Sequence, residues 1–215
     1  MTTSEENYLK AIYHLTQVMP KGVNTNAIAA SLDTKASSVT DMIKKLAEKE
    51  LVTYQKYQGV NLTELGKLSA KMIIRKHRLW EVFLVEKLGF TWDEVHEVAE
   101  ELEHIQSEKL INQLDQFLGF PSYDPHGDPI PNAKGEIQLE NKWLLSEIEV
   151  GLKVTCIGVK DSSADFLKYL DKQKIALGTT LQLLEKESFD GTLKIGIGNQ
   201  VLVISDKIAN NLFVK

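Results

Sequence analysis

Histidine and glutamate side chains recur at helical spacing in residues 96–107. On a helix, residues three and four positions apart lie on the same face. Five polar residues follow those steps, namely His96, Glu100, Glu103, His104 and Ser107. An earlier segment adds His77 and Glu81, which are also four apart. Imidazole and carboxylate ligands from two helices can hold a divalent transition metal, although such spacings also arise by chance.

The composition indicates a chain with a packed core. The 215 residues are 43% apolar and 26% charged, enough for one large domain or roughly two to three small ones. The net charge of −5 argues weakly against nonspecific coating of nucleic acid, but it leaves room for a local basic face. The single cysteine, Cys156, fits a reducing cytosol and is expected to be buried. We find no signal peptide and no apolar run of about 18 residues, and therefore expect a cytoplasmic protein that does not enter a membrane.

Residues 1–65 follow the element order of a winged helix-turn-helix DNA-binding domain. Apolar periodicity predicts a helix capped by Ser4, a short helix capped by Asn24, and a third helix after Lys35. Alternating residues around Gly59 predict a hairpin, the wing. The third helix of such a domain enters the major groove, and small or basic residues near it would contact DNA. Those candidates are Lys35, Ser37, Ser38, Thr40, Lys44 and Lys56. The alternative is a small helical domain with a solvated lysine face.

Residues 66–122 are predicted to be helical. A long helix of about residues 67–87 is followed by Gly89, then by a helix that carries residues 96–107, and then by a further helix from about Ser107 to Leu118. Their apolar surface is large for short helices, so we expect it to be buried against a second copy of the chain. A homodimer is also what a helix-turn-helix protein needs to read two half-sites.

The last third of the chain changes to loop and strand patterns. Residues 123–143 are rich in proline, glycine and aspartate and predict a loop that tethers a small β domain of residues 144–215. Four segments of that domain alternate as strands do. A short helix lies between the first two strands and is predicted to be capped at Ser162 or Ser163.

Four segments together are similar to one known family. They are SSVTDMIKKLAEKELVTYQKYQGVNLTELG, RKHRLWEVFL, HEVAEELEHIQSEKL and DPHGDPIP. The chain resembles the diphtheria-toxin-repressor family, which includes iron-dependent repressors and manganese transport regulators. The resemblance implies a mainly α fold with a winged helix-turn-helix, a helical metal-binding and dimerisation domain, and an SH3-like (FeoA-like) C-terminal β-barrel. It also implies a cytoplasmic homodimeric repressor of metal-uptake genes that binds operator DNA when loaded with Mn(II) or Fe(II).

The resemblance further implies two metal sites. The first comprises His77, Glu81 and His96, with Asp124, Asp161 and Asp165 as candidates to complete it. The second comprises Glu100, Glu103, His104 and Asn7. At Asn7 the family usually has Asp or Met, and short manganese regulators have an acid where Lys10 stands. Manganese-sensing relatives often have a cysteine at the position of Asp124.

Two of these residues also have ordinary structural explanations. Asp165 is equally well explained as first-turn helix charge. His126, in the predicted loop, is more often a hydrogen-bonded loop histidine than a ligand.

Histidine and carboxylate ligands without a thiolate favour six-coordinate Mn(II) or Fe(II), and we expect Mn(II). Because protons must leave the histidines before metal binds, activation of DNA binding by the metal should weaken below about pH 6.5.

Two alternative functions stay open. A metal-dependent hydrolase would use the His/Glu cluster with a general base and a cleft, but the sequence has no HExxH, P-loop or GxSxG motif, and we predict no enzymatic activity. A winged-helix regulator sensing an organic ligand would use the histidines only structurally.

Overall fold

The computed structural model describes residues 1–55, 59–138 and 141–215, which form two compact units. The first unit comprises Met1–His77, Glu100–Gln113 and Pro131–Ile137. The second comprises Arg78–Ala99, Leu114–Ile130 and Gln138–Lys215. No helix of the described residues is both long enough and apolar enough to cross a membrane.

The first unit contains the predicted helix-turn-helix and its wing. The elements in chain order are α1 (Thr3–Val18), α2 (Thr25–Ser31), α3 (Ala36–Glu48), β1 (Val52–Gln55) and β2 (Gly59–Leu62). The two strands pair antiparallel, with Val52 opposite Leu62. The apolar positions that gave the periodicity enclose one core, which includes Leu9, Ile28, Val39, Ile43, Leu46 and Val60. The winged helix-turn-helix prediction is confirmed.

Local signals explain where these helices begin. The Thr2 hydroxyl accepts a hydrogen bond from the backbone N–H of Glu5, whose carboxylate accepts one from the N–H of Thr2. This reciprocal capping box starts α1 at Thr3, so the prediction of Ser4 as the cap is wrong. Asn24 caps α2 as predicted, by accepting from the N–H of Ala27.

Three helices follow the wing, and the helix predicted to carry residues 96–107 ends earlier, at Leu102. They are α4 (Glu64–Leu88), α5 (Val95–Leu102) and α6 (Glu108–Phe117). After α5 the N–H of Ile105 bonds to the carbonyl of Leu102, a tight turn. The Ser107 hydroxyl then accepts from the N–H of Leu110, so Ser107 caps α6, which begins where that helix is predicted to start. Glu103 and His104 therefore lie on a turn.

The second unit contains a six-stranded antiparallel sheet in the order β3-β8-β4-β5-β6-β7. The strands are β3 (Trp143–Leu144), β4 (Lys153–Val159), β5 (Thr180–Lys186), β6 (Leu193–Ile197), β7 (Gln200–Ile204) and β8 (Leu212–Val214). Helix α7 (Ala164–Lys172) follows β4, and α8 (Asp206–Ala209) precedes β8. The core includes Cys156, Leu167, Leu181, Ile195 and Leu212. The predicted C-terminal domain is confirmed, with β3, β8 and α8 as elements that the sequence patterns did not predict.

Candidate metal centre

Two buried polar side chains of the second unit, Asp124 and His126, converge on Glu81 of α4. Glu81 is 1% exposed, and Asp124 and His126, from the loop after α6, are 4% and 6% exposed. One donor atom of each lies within 4.8 Å of the others. Nδ1 of His126 is 3.6 Å from Oε1 of Glu81, and Nδ1 of the more exposed His96 is 3.5 Å from the same oxygen. We call Glu81, His96, Asp124 and His126 the Glu81 cluster.

The loop that carries Asp124 and His126 is closed by the Asp124 carboxylate. Its Oδ1 accepts hydrogen bonds from the backbone N–H groups of His126 (2.8 Å) and Asp128 (2.9 Å). Nε of Arg78 lies 3.3 Å from Oδ2 of Asp124, and the same guanidinium pairs with Asp128 and donates to the carbonyl of Pro129. These contacts fix the carboxylate before any ligand is bound.

Strand β4 holds the same loop from the other side. The N–H of Val159 donates to the carbonyl of His126 at 2.9 Å. Gly127 has a φ of +82°, and a Cβ there would lie 2.0 Å from the carbonyl oxygen of Ile157. Only glycine permits this approach and this backbone conformation. The loop is therefore positioned by the C-terminal sheet.

The orientation of His126 is set by the backbone of Trp92. Nε2 of His126 lies 2.8 Å from the Trp92 carbonyl oxygen. A carbonyl can only accept, so Nε2 carries the hydrogen and Nδ1 faces Glu81. The two rings also stack, with an interplanar angle of 9°. A backbone carbonyl that fixes the second nitrogen in this way is characteristic of metal-ligating histidines.

The Glu81 cluster holds excess protons at neutral pH. Burial and the negative charges of Glu81 and Asp128 raise the pKa of Asp124 to about 7, although Arg78 opposes the shift. Burial lowers the pKa of His126, but the hydrogen bond with Glu81 and the charges of Glu81 and Asp124 raise it to about 9. A divalent cation can take the place of these protons, and this carboxylate and imidazole donor set fits Mn(II) or Fe(II).

A second polar cluster lies in the first unit around Glu103, whose side chain is fully buried. Nζ of Lys10, on α1, is 2.7 Å from Oε1 and 2.8 Å from Oε2 of Glu103, and 3.2 Å from Oε1 of Glu100. Nδ1 of His77 lies 2.7 Å from Oε2. Burial acts to raise the pKa of Glu103, but the hydrogen bond with His77 and the charge and hydrogen bond of Lys10 leave it below its ordinary value. The carboxylate is therefore ionised and balanced within the protein.

His104 approaches the same carboxylate because Glu6 orients it. Glu6, buried on α1, accepts hydrogen bonds from Nδ1 of His104 (2.6 Å) and from Gln106 (2.7 Å). Nε2 of His104 then lies 3.9 Å from Oε1 of Glu103. We call Lys10, His77, Glu100, Glu103 and His104 the Glu103 cluster.

The structure brings together some of the predicted ligands. In the second unit His96 lies 3.5 Å from Glu81, and Asp124 belongs to a group of three with Glu81. In the first unit His104 lies 3.9 Å from Glu103, and Lys10 contacts both Glu103 and Glu100. Within the described residues, Asp161 and Asp165 belong to no group of three potential ligands. Asp161 accepts from the N–H of Ser163, and Asp165 is exposed in the first turn of α7. Both stay predictions.

Two residues of these clusters, His126 and Lys10, have only weak signals in the sequence. His126 is hydrogen-bonded, as expected for a loop histidine, and it also faces Glu81. Its two-residue spacing from Asp124, in a turn rich in proline and glycine, was the available signal. Lys10 enters the Glu103 cluster from a position 93 residues away along the chain, and no local pattern reports that contact.

Four of the predicted DNA-contacting residues lie just before or within the first turns of α3, and Lys44 lies in its second half. Lys35, Ser37, Ser38, Thr40 and Lys44 are all exposed. The Thr40 hydroxyl donates to the carbonyl of Ala36, and Lys44 lies 3.5 Å from Asp41. Lys56 lies outside the described residues. Exposed hydroxyl and ammonium groups at a helix N-terminus suit contact with phosphate oxygens.

Three family models match consecutive parts of the chain. Residues 1–60 match the iron dependent repressor N-terminal DNA binding domain, and residues 63–132 match the iron dependent repressor metal binding and dimerisation domain. Residues 144–215 match the FeoA domain.

Individual relatives extend this similarity. An uncharacterized HTH-type transcriptional regulator of Methanocaldococcus jannaschii is 38% identical over 118 residues, 55% of this chain and 94% of that protein. The HTH-type transcriptional regulator MntR of Oceanobacillus iheyensis is 34% identical over 120 residues, 55% of this chain and 80% of that protein. The solved structure of a manganese-dependent transcriptional repressor in complex with manganese is 34% identical, with a TM-score of 0.84 and coverage of 98% of both chains.

The protons of the Glu81 cluster predict the pH dependence of metal binding. Below about pH 9 His126 is protonated in the metal-free protein, and below about pH 7 Asp124 is protonated too. Ligation needs both groups deprotonated. The affinity for Mn(II) should therefore rise about tenfold per pH unit from pH 7 to 9, and more steeply below pH 7. Anaerobic Mn(II) titrations across this range measure the slope.

The matched control is His126→Gln, which keeps a donor for the Trp92 carbonyl but cannot bind a proton at Nδ1. Its slope between pH 7 and 9 should fall toward zero. A wild-type affinity that does not change between these pH values contradicts the assignment of His126.

Proposed function

This chain belongs to the iron-dependent repressor family, and from that premise we propose that the Glu81 cluster is the metal site through which it controls binding to operator DNA. The chain is a metal-dependent DNA-binding transcriptional repressor. The comparisons favour this function over the metal-dependent hydrolase and the regulator of an organic ligand.

The proposal rests on the buried carboxylate of Glu81, which faces Asp124 and His126 on a loop that backbone contacts hold in place. Glu81, Asp124 and His126 offer three donor atoms within 4.8 Å, and His96 adds a fourth at the exposed side. His77, four residues before Glu81 on α4, is included from the sequence analysis. Asp161 and Asp165 remain candidates from the C-terminal domain. These residues form the proposed first site.

Mn(II) is the preferred ion in this proposal, and Fe(II) is the second choice. The donors are carboxylate oxygens and imidazole nitrogens, which suit these ions better than softer ones that prefer thiolates. When bound, a divalent cation supplies the positive charge that the clustered carboxylates otherwise take from protons. Asp124 contributes oxygen where many manganese-sensing relatives have a cysteine, which shifts the donor set further toward hard cations.

The residues of the cluster are connected to the DNA-binding elements through one helix. Helix α4 runs without a break from Glu64, two residues after β2 of the wing, to Leu88, and carries Glu81. Asp124 and His126 are anchored to Arg78 and to β4. Fixing Glu81 against this loop restrains α4, and we propose that α4 transmits this restraint to the wing and α3. Such coupling between two sites is commonly worth about 1–3 kcal/mol.

Operator DNA and a second copy of the chain are the proposed partners. Because the net charge of the chain is −5, its attraction to DNA must come from the local face of α3 and not from the charge of the whole chain. Phe117 and Phe120 are 65% and 66% exposed at the end of α6, which suits burial in a homodimer. Two copies would read two half-sites of an operator, in the cytoplasm and at genes for metal uptake.

Glu81→Gln tests the metal site through DNA binding. An operator is first selected from random DNA with the wild type in the presence of Mn(II). We expect Mn(II) to tighten wild-type binding to it about 5- to 150-fold over chelator, and Glu81→Gln to lose most of that gain because it removes the central charge. Fluorescence anisotropy measures both affinities, with Fe(II) and Zn(II) as further arms.

The control is Glu86→Gln, an exposed position on the same helix, which should keep the full response. Equal wild-type affinities in Mn(II), Fe(II) and chelator would refute the proposal.

Lys44→Ala tests the proposed DNA face. Loss of one phosphate contact should weaken binding to all sequences alike and reduce the slope of log affinity against log salt by about one. Salt titrations on the selected operator and on unrelated DNA measure this change. Lys153→Ala, an exposed lysine of β4, should leave the slope unchanged. An unchanged slope for Lys44→Ala would remove Lys44 from the interface.

A further inference from the structure

We infer that the Lys10 ammonium takes the place of a metal ion in the Glu103 cluster, so that the chain binds its regulatory metal at the Glu81 cluster alone. The inference rests on the proposed function for the role of the Glu81 cluster. It departs from the expectation that Glu100, Glu103, His104 and Asn7 form a second metal site.

The position of Lys10 leaves no room for an ion on the same oxygens. Its Nζ lies 2.7 and 2.8 Å from the two oxygens of Glu103 and 3.2 Å from Glu100. A metal ion would bind such oxygens at about 2.0–2.6 Å. It would then meet the ammonium at contact distance, with charges of the same sign. An ammonium has no lone pair to offer a metal, so Lys10 would have to leave the cluster.

Helix α1 also supplies little to attract an ion. Asn7 and Lys10 lie three residues apart, on one face of α1, and contribute a neutral amide and a positive charge. The Glu6 carboxylate accepts hydrogen bonds from His104 and Gln106, and Nζ of Lys76 lies 3.6 Å from it. The charge that α1 directs at Glu103 is therefore positive.

The two clusters differ in how their buried carboxylates are balanced. In the Glu81 cluster the carboxylate faces the imidazoles of His96 and His126 at 3.5 and 3.6 Å, and an imidazole nitrogen can bind a metal ion. In the Glu103 cluster the carboxylate faces the Lys10 side chain, which is attached to α1 and is 16% exposed. Moving Lys10 out of the cluster would break its ion pairs with Glu103 and Glu100. The Glu103 cluster thus fits a structural ion network and does not fit a metal site.

The test counts Mn(II) ions bound by the full-length chain, using the electron paramagnetic resonance signal of free Mn(II). The wild type should bind one ion per chain with high affinity. Lys10→Met should gain a second ion, with an affinity at least about tenfold higher than any second binding event of the wild type, because like-charge repulsion is removed. Lys49→Met is the matched control, since Lys49 pairs at 2.7 Å with another buried glutamate, Glu5, outside both clusters. The Lys49→Met variant should still bind one Mn(II) ion per chain.

Two wild-type sites of similar affinity, or no gain in Lys10→Met, would overturn the inference. If Lys10→Met does not fold without metal, Lys10→Gln keeps a donor to Glu103 without the charge and should show the same gain. A wild type that binds no Mn(II), together with a gain in either Lys10 variant, would remove the proposed role of the Glu81 cluster and leave the inference about Lys10 intact. A wild type with two similar sites leaves the proposed function standing.

Discussion

An ionised carboxyl group inside a protein is unfavourable unless a positive charge lies beside it, and this constraint governs both polar clusters of the chain. Glu81 and Glu103 are almost fully buried. Removing the partner of a buried charge typically costs about 3–5 kcal/mol, so each carboxylate needs a compensating group at all times. Glu103 has Lys10 and His77 at 2.7 Å. Glu81 faces His126, which holds a displaceable proton. The first arrangement is permanent, whereas the second can exchange its proton for a metal ion.

The surrounding structure keeps each cluster in place by backbone contacts that do not depend on a metal. The carbonyl of Trp92 fixes the His126 ring, and the close approach of Gly127 to Ile157 fixes the loop. In the first unit, the capping box at Thr2 starts α1, on which Lys10 contacts Glu103 and Glu6 orients His104. Preformed ligands lower the entropic cost of binding an ion.

Regular local patterns gave correct predictions, and contacts between distant residues did not. The periodicity around Val39, Ile43 and Leu46 predicted α3, and alternation around Gly59 predicted the wing, because both depend on near neighbours. The start of α6 near Ser107 was predicted, but the helix expected through residues 96–107 ends at Leu102, and Ser107 caps α6 instead of lying on a ligand face. Strands β3 and β8 are too short to show alternation, and they form by pairing with distant segments, β8 with β4 and β3 with β8.

In the candidate site, too, the residue types could be predicted from the sequence, whereas contacts between distant residues could not. Residue types and family resemblance predicted Glu81, His96 and Asp124 as ligands, and the structure places them together. They could not predict that Lys10 would cross to Glu103, since an ion pair between residues 93 apart depends on the packing of whole helices. They also could not predict the pKa of His126, which depends on burial and on Glu81 and Asp124 around it.

We propose that metal in the Glu81 cluster and operator DNA stabilise the same state of the protein. The most direct test is the Mn(II) affinity of the wild type measured with and without saturating operator DNA. Because coupling free energies are reciprocal, operator should tighten Mn(II) binding by the same factor by which Mn(II) tightens operator binding. An Mn(II) affinity that is unchanged by bound operator would contradict the account.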